Sequence, residues 1–123
     1  MEQHPDQLLI LASDLEILSA LSQALTKNGR AVVAATDWEQ ATTCLTSEPL
    51  TSILYDVKEL NHREWERLVA LRAAYPKLNV VLMASLETRE LEWGRQEHVI
   101  ADYLMKPIRL PALEACLARL GVR

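Results

Sequence analysis

Short apolar runs alternate along this chain with stretches of helical period. Residues 8–12, Leu-Leu-Ile-Leu-Ala, make the first run and predict a buried strand. Between Leu15 and Asn28, apolar residues at Ile17, Ala20, Leu21, Ala24 and Leu25 share one helical face, and Asn28-Gly29 stops that helix. Residues 31–35 predict a second strand. Thr36-Asp37-Trp38-Glu39 has the form of a capping box, and the helix behind it turns Trp38, Ala41, Cys44 and Leu45 inward until Pro49. Residues 52–55 predict a third strand, and 64–74 a helix broken by Pro76. A fourth strand is expected at 79–84, a weaker helix at 87–97 with Gly94 near its end, and a fifth strand at 101–105. The last helix opens at Pro111 and directs Leu113, Cys116, Leu117 and Leu120 to the core.

Five strands alternating with five helices predict an α/β fold, a doubly wound parallel sheet covered on both faces. Ligands of such sheets gather beyond the carboxyl ends of the strands. The informative residues are therefore Ala12, Ser13, Asp56, Ser85 and Lys106. They pose a puzzle. The third strand delivers a carboxylate to its tip, while the first delivers only small uncharged groups.

Composition narrows the function classes. The 123 residues fit one domain, with 50% apolar and 24% charged residues, enough for a single core. The net charge is −4 and the basic residues are scattered, so no nucleic-acid footprint is expected. No apolar run approaches the ~20 residues of a membrane span. Met1-Glu2-Gln3-His4-Pro5 lacks the pattern of a signal peptide, so a cytoplasmic protein is expected. Cys44 and Cys116 occupy apolar positions of helical patterns and are expected to fill core. No His/Cys cluster has zinc spacing, and His4, His62 and His98 are expected at the surface.

The strand tips carry a family likeness. The chain resembles a receiver domain of two-component response regulators over nearly its whole length. Ser52-Ile53-Leu54-Tyr55-Asp56 resembles the phosphoacceptor strand. Val81-Leu82-Met83-Ala84-Ser85 resembles the strand ending in the switch Ser or Thr. Asp102-Tyr103-Leu104-Met105-Lys106-Pro107 resembles the aromatic switch position and the Lys-Pro pair, and the segment from Ala35 to Ala41 also has the family look. The resemblance implies one receiver domain over 1–123, a flavodoxin-like (βα)5 three-layer sandwich with strand order 2-1-3-4-5. It also implies phosphoryl transfer from a histidine kinase to Asp56, and magnesium bridging Asp56 to an acidic pair after the first strand. Ser85 and Lys106 would contact the phosphoryl oxygens, with Tyr103 packing inward when they do. The residue chemistry suits these roles: an oxygen nucleophile at Asp56, a compact cation at Lys106 and a hydroxyl donor at Ser85. The Lys106–Pro107 bond is open to cis or to the commoner trans form. Tyr103 reads equally well as a half-buried strand aromatic.

The pattern fails at the acidic pair, whose positions are Ala12 and Ser13. Ser13-Asp14-Leu15-Glu16 reads as a capping box, with Ser13 as N-cap and Asp14 serving the helix start. Magnesium prefers carboxylate ligands, so no cofactor is expected, with magnesium held weakly through Asp56 at most. Leu60, Glu64 and Val99-Ile100 replace the family's Pro, Gly and Gly-Ala. Lys58 and Glu87 lie two residues beyond Asp56 and Ser85 and are expected to border the pocket. Lys58 or Lys106 is expected to pair with Asp56 in place of the metal. Two unit charges ~4 Å apart attract by about 4 kcal/mol at an effective dielectric of about 20, before desolvation. The alternative for Lys58 is a solvated lysine bridging to Glu59 or Glu87.

Two functions stay open. One is an atypical receiver, not an enzyme, that acts through contacts with a histidine kinase or other signalling protein. Such a receiver has a possible homodimer interface on the fourth helix, fifth strand and fifth helix. The other is a working phosphoacceptor at Asp56. An unrelated flavodoxin-like binding protein would want a Gly-rich phosphate loop, which the first strand-to-helix turn lacks. With nothing after the fifth helix, no effector domain is expected within these residues.

Overall fold

Runs of Leu, Ile and Val too short for helices become five strands of one parallel sheet. The computed structural model describes residues 6–123; His4 and the rest of the signal-peptide reading lie outside them. In chain order the elements are β1 (Gln7–Leu11), α1 (Leu15–Lys27), β2 (Ala31–Ala35), α2 (Trp38–Ser47) and β3 (Leu50–Asp56). They continue with α3 (His62–Ala74), β4 (Asn79–Ala84), α4 (Arg89–Gln96), β5 (Asp102–Met105) and α5 (Leu110–Arg119). The sheet order is β2-β1-β3-β4-β5, as the resemblance implies. All four strand pairs are parallel, with Leu11 level with Ala35 and Tyr55, and Asp56 level with Met83.

Alternation along the strands sorts the core into two halves. Leu9, Leu11, Ile53, Leu82 and Ala84 pack with Ala41, Leu68 and Leu91 beneath α2, α3 and α4. Leu8, Ile10, Ala12, Leu54 and Met83 pack with Leu18, Leu25, Leu113 and Leu117 beneath α1 and α5. The result is a three-layer flavodoxin-like sandwich. Ala12 and Leu54 lie on the α1/α5 side, and the period of two carries Asp56 to that side as well. Arg30 fastens the far end of this layer through paired bonds to Glu114, at 2.9 and 3.1 Å, and a third to the Val122 carbonyl.

Several local expectations need correction. The N-cap of α1 is Asp14, not Ser13: its Oδ1 accepts from the amides of Glu16 and Ile17 at 2.9 and 3.3 Å. The box before α2 likewise sits one residue later. Asp37 caps the Gln40 amide, and Gln40 Oε1 accepts from the Thr36 amide. In both places a carboxylate displaces the neighbouring hydroxyl, because the positive helix start favours the anion. On α1 the buried residues are Leu18 and Leu25, while Ala20 is exposed. Leu120, the C-cap of α5, is half-buried and packs against the α1/α5 half of the core. β3 starts two residues earlier than the apolar run suggests.

Cys116 is buried and Cys44 half-buried, both free. Burial first, and then the Asp102 carboxylate, push the Cys116 thiol up to about 11. His62 and His98 are exposed. Among the described residues no helix is long and apolar enough to cross a membrane.

The α3–α4 contact depends on one glycine. A Cβ on Gly94 would lie 2.5 Å from Trp65 Cη2 and 2.7 Å from Cζ3. Trp65 cannot swing away freely, because it stacks edge-on against Trp93 with centroids 5.7 Å apart. Alanine gains about 1 kcal/mol of helix propensity over glycine, but overpacking costs about 1–3 kcal/mol. Gly94→Ala is therefore expected to lower stability by about 1 kcal/mol in urea unfolding with an unchanged m-value. A net gain would contradict the wedge.

Candidate functional site

β3 ends by placing Asp56 at the sheet's carboxyl edge with only 5% of its surface exposed. A buried carboxylate needs a partner of opposite charge. Lys106, at the end of β5, supplies it: its ammonium makes an ion pair with Asp56 Oδ1. The same ammonium donates to the Val57 carbonyl at 3.2 Å. Oδ1 is itself buried, against the ammonium. The Lys106–Pro107 bond is cis.

The residues at the first strand's tip contribute no charge. Ala12 is 1% exposed, its amide bonded to the Ala35 carbonyl at 3.1 Å, and its methyl group lies in the α1/α5 half of the core. Ser13 is exposed, and Asp14 is occupied with the helix start. Among the described residues no group of three or more His, Cys, Asp or Glu side chains is placed to hold a metal ion.

Of the two lysines considered for Asp56, it is Lys106 that makes the pair. Lys58 is exposed at the rim of a cleft of about 350 Å³ that Asp56 also borders, and among the described residues it makes no ion pair. The bridge to Glu59 or Glu87 is absent as well. Ser85 is exposed just past β4, with no side-chain hydrogen bond among the described residues. Tyr103 and Glu87 form a separate group. The Tyr103 hydroxyl lies 3.2 Å from both Glu87 Oε1 and Glu92 Oε2. One hydroxyl proton serves two carboxylates, so the tether is shared between the β4–α4 loop and α4 itself. Burial, then Glu87 and Glu92, raise the Tyr103 hydroxyl. Arg95, paired with Glu92, holds that carboxyl below its usual range.

A second network escaped the strand-tip reading. Tyr55, next to Asp56 but facing the α2/α3 side, donates to Glu64 Oε2 at 2.7 Å and accepts from Trp38 Nε1 at 3.2 Å. Arg67 bonds Glu64 at 3.1 Å and lies 5.1 Å from the Trp38 ring centroid. Glu64 occupies a position where the resemblance implies glycine, and that substitution was the only sequence signal. The network fixes one wall of the 350 Å³ cleft and ties β3 to α2 and α3.

With this geometry in place, the likenesses to known proteins can be judged. The chain is 29% identical over 113 residues to response regulator protein FleR of Pseudomonas aeruginosa, covering 92% of this chain. It spans 24% of that relative's length. The chain is similar to response-regulator receiver domains and has their fold. Solved structures agree on the fold. Chemotaxis protein CheY4 of Vibrio cholerae superposes with a TM-score of 0.82 at 19% identity, covering 94% of this chain and 98% of that one. A receiver domain from Methanospirillum hungatei gives 0.79 at 21% identity, covering 95% and 94%. A pilus assembly-related protein of Burkholderia pseudomallei gives 0.83 at 18% identity, covering 98% and 92%. No family model matches the chain. Against this receiver background the departures at Ala12, Ser13 and Glu64 stand out.

The Tyr55 network makes an alkaline signature. Burial first, then the bond to Glu64, raises the Tyr55 hydroxyl from 10.0 to about 12. A folded value above the unfolded one stabilises the fold fully below pH 10, and that contribution is lost as pH rises towards 12. Absorbance of tyrosinate is expected to show one late step near pH 12, absent in Tyr55→Phe. Titration of every tyrosine near pH 10 with the fold intact would contradict the network.

Proposed function

We propose that this domain is an atypical receiver in two-component signalling, passing on its state through protein contacts rather than through magnesium-dependent phosphorylation. One observation carries the reading: Lys106 neutralises Asp56 while Ala12 and Ser13 bring no carboxylate. Magnesium takes oxygen ligands in near-octahedral geometry and is bound through one or two carboxylates. One buried, already paired carboxylate beside a methyl group and an exposed hydroxyl does not fit that ion.

The domain is a signalling module, to which no turnover of a substrate is assigned. Its partner is a histidine kinase or another signalling protein, and its contact surface is the α4–β5–α5 face, which a second copy of the domain can also use. There Tyr103 is tied to α4 through Glu92, and Arg119 pairs with Asp102 at 3.1 Å. A change at the β4–α4 loop therefore reaches that face directly.

A second reading is favoured by the contact between Asp56 and Lys106, the pairing a phosphoacceptor also uses. On that reading Asp56 accepts a phosphoryl group from a kinase, Lys106 turns its ammonium to the added charge and Ser85 donates a hydroxyl hydrogen.

Intact-mass measurement after incubation with acetyl phosphate and magnesium separates the two. The atypical reading expects no adduct of one phosphoryl group on the natural chain. It also expects Ala12→Asp/Ser13→Asp to gain magnesium binding, read as saturable tryptophan quenching. A stable adduct that disappears in Asp56→Ala would establish the phosphoacceptor instead.

A further inference from the structure

Asn79 and Asp102 open β4 and β5 at the sheet edge opposite Asp56. Beside these amino ends lies a cleft of about 250 Å³. Arg72 of α3, Lys77 of the loop after it and His98 of the turn after α4 all line it. Val99, Ile100 and Leu120 supply apolar wall, and Val99-Ile100 is the pair that replaces the family's Gly-Ala. Among the described residues no carboxylate lines the cleft, although the chain carries a net charge of −4.

The three basic groups stand there without counter-ions. Arg72 donates to the Pro76 carbonyl, which fixes its guanidinium and leaves other N–H groups of the fork to spare. Lys77 and His98 are exposed, and among the described residues their side chains make no hydrogen bond or ion pair. Glu97 and Asp102 flank His98 along the chain, but neither lines the cleft, and Asp102 is taken by Arg119 at 3.1 Å and by the Cys116 thiol. Basic residues after helices often serve only the negative helix end, an attraction confined to the last turn. Here no terminal carbonyl of α3 or α4 accepts from these side chains. Arg72 bonds Pro76, beyond α3, and α4 closes on backbone bonds from His98 to Arg95 and from Val99 to Gly94, at 3.2 and 2.9 Å. His98 itself has φ 59, a left-handed conformation that helices most often give to glycine at this place. An imidazole is thus kept at the cleft where a residue without a side chain fits the backbone best. A guanidinium fork, an ammonium and an imidazole offer more donors than the two oxygens of a carboxylate use. A phosphate monoester brings nearly two negative charges and three acceptor oxygens. The volume falls below the about 300–1,000 Å³ of full ligand pockets, so the site takes the anionic head and a short body.

We propose that this cleft binds the phosphate monoester of a small molecule, its phosphoryl oxygens on Arg72, Lys77 and His98 and its body against Val99 and Leu120. The site lies at the other end of the sheet from Asp56 and stands whether or not that carboxylate is phosphorylated. Occupancy bridges the loop before β4 to the turn before β5.

The test is amide NMR of the whole chain at fixed ionic strength without magnesium, titrated with inorganic phosphate, glycerol 3-phosphate and acetate. Both phosphates are expected to give saturable shifts centred on Lys77, Asn79 and residues 98–101. Acetate should bind about tenfold more weakly, with one charge and two oxygens to offer. Lys77→Gln, at an exposed loop position, should lower phosphate affinity about fivefold. His98→Gly should raise the urea midpoint, because glycine suits the left-handed backbone, and yet weaken phosphate binding by a similar factor. A merely structural His98 would give the first change without the second. Absence of saturable shifts, shifts centred on Asp56 and Lys106 instead, equal affinity for acetate, or unchanged phosphate affinity in either variant would overturn the proposal. Vesicles containing phosphatidic acid test the other source of a phosphate monoester: co-sedimentation with them, without saturable binding of glycerol 3-phosphate, would overturn the small-molecule assignment in favour of a lipid headgroup.

Discussion

The ammonium of Lys106 resting on the carboxylate of Asp56 is the contact from which the rest of the site takes its meaning. A carboxylate that is 5% exposed is costly to bury at a strand tip unless a positive charge meets it. Receivers of the kind this chain resembles recruit a divalent cation for that purpose, held by further carboxylates. Here the first strand offers a methyl group at Ala12 instead, and the charge balance closes within the protein. That explains how one tip delivers a charge and the neighbouring tip almost none. The carboxylate is matched one-to-one, and a second acid would leave the pocket with uncompensated negative charge.

The same substitution reshapes the surroundings. With Ala12 at the end of β1 and Asp14 turned to the helix start, the α1 side of Asp56 is apolar, bounded by Ile17, Leu21 and Ile108. On the opposite side of the sheet, Tyr55 and Glu64 join β3 to α2 and α3, giving the strand that carries Asp56 a rigid seat. The aromatic of β5 belongs to a third unit, where Tyr103 links the β4–α4 loop and α4 through two carboxylates. The pair at Asp56 and the tether at Tyr103 share β5, which carries Tyr103 and leads directly into Lys106.

Much of this was legible in the chain itself. Apolar runs located every strand, because a sheet buried on both faces tolerates few polar residues. Lys106 and Asp56 were visible as strand-tip residues once the alternation was read. The misplaced details have physical causes. Ser13 and Thr36 looked like N-caps, but Asp14 and Asp37 beside them are stronger acceptors at a positive helix end. Ala20 looked like core, yet it lines an open cleft, while Leu18 reaches the sheet. Tyr55 and Glu64 are nine positions apart and meet only after α3 folds back over β3, so no periodicity announces them. Lys58 stands close to Asp56 in sequence, but it follows the strand into an exposed loop, and proximity along the chain did not become contact.

The most direct measurement is anomalous scattering from crystals soaked in manganese, a ligand-equivalent stand-in for magnesium with its own X-ray signal. The account predicts no ordered peak within bonding distance of Asp56, with Lys106 still seated on the carboxylate. A strong peak bridging Asp56 and the turn at residues 12–14, with the Lys106 ammonium displaced, would contradict it.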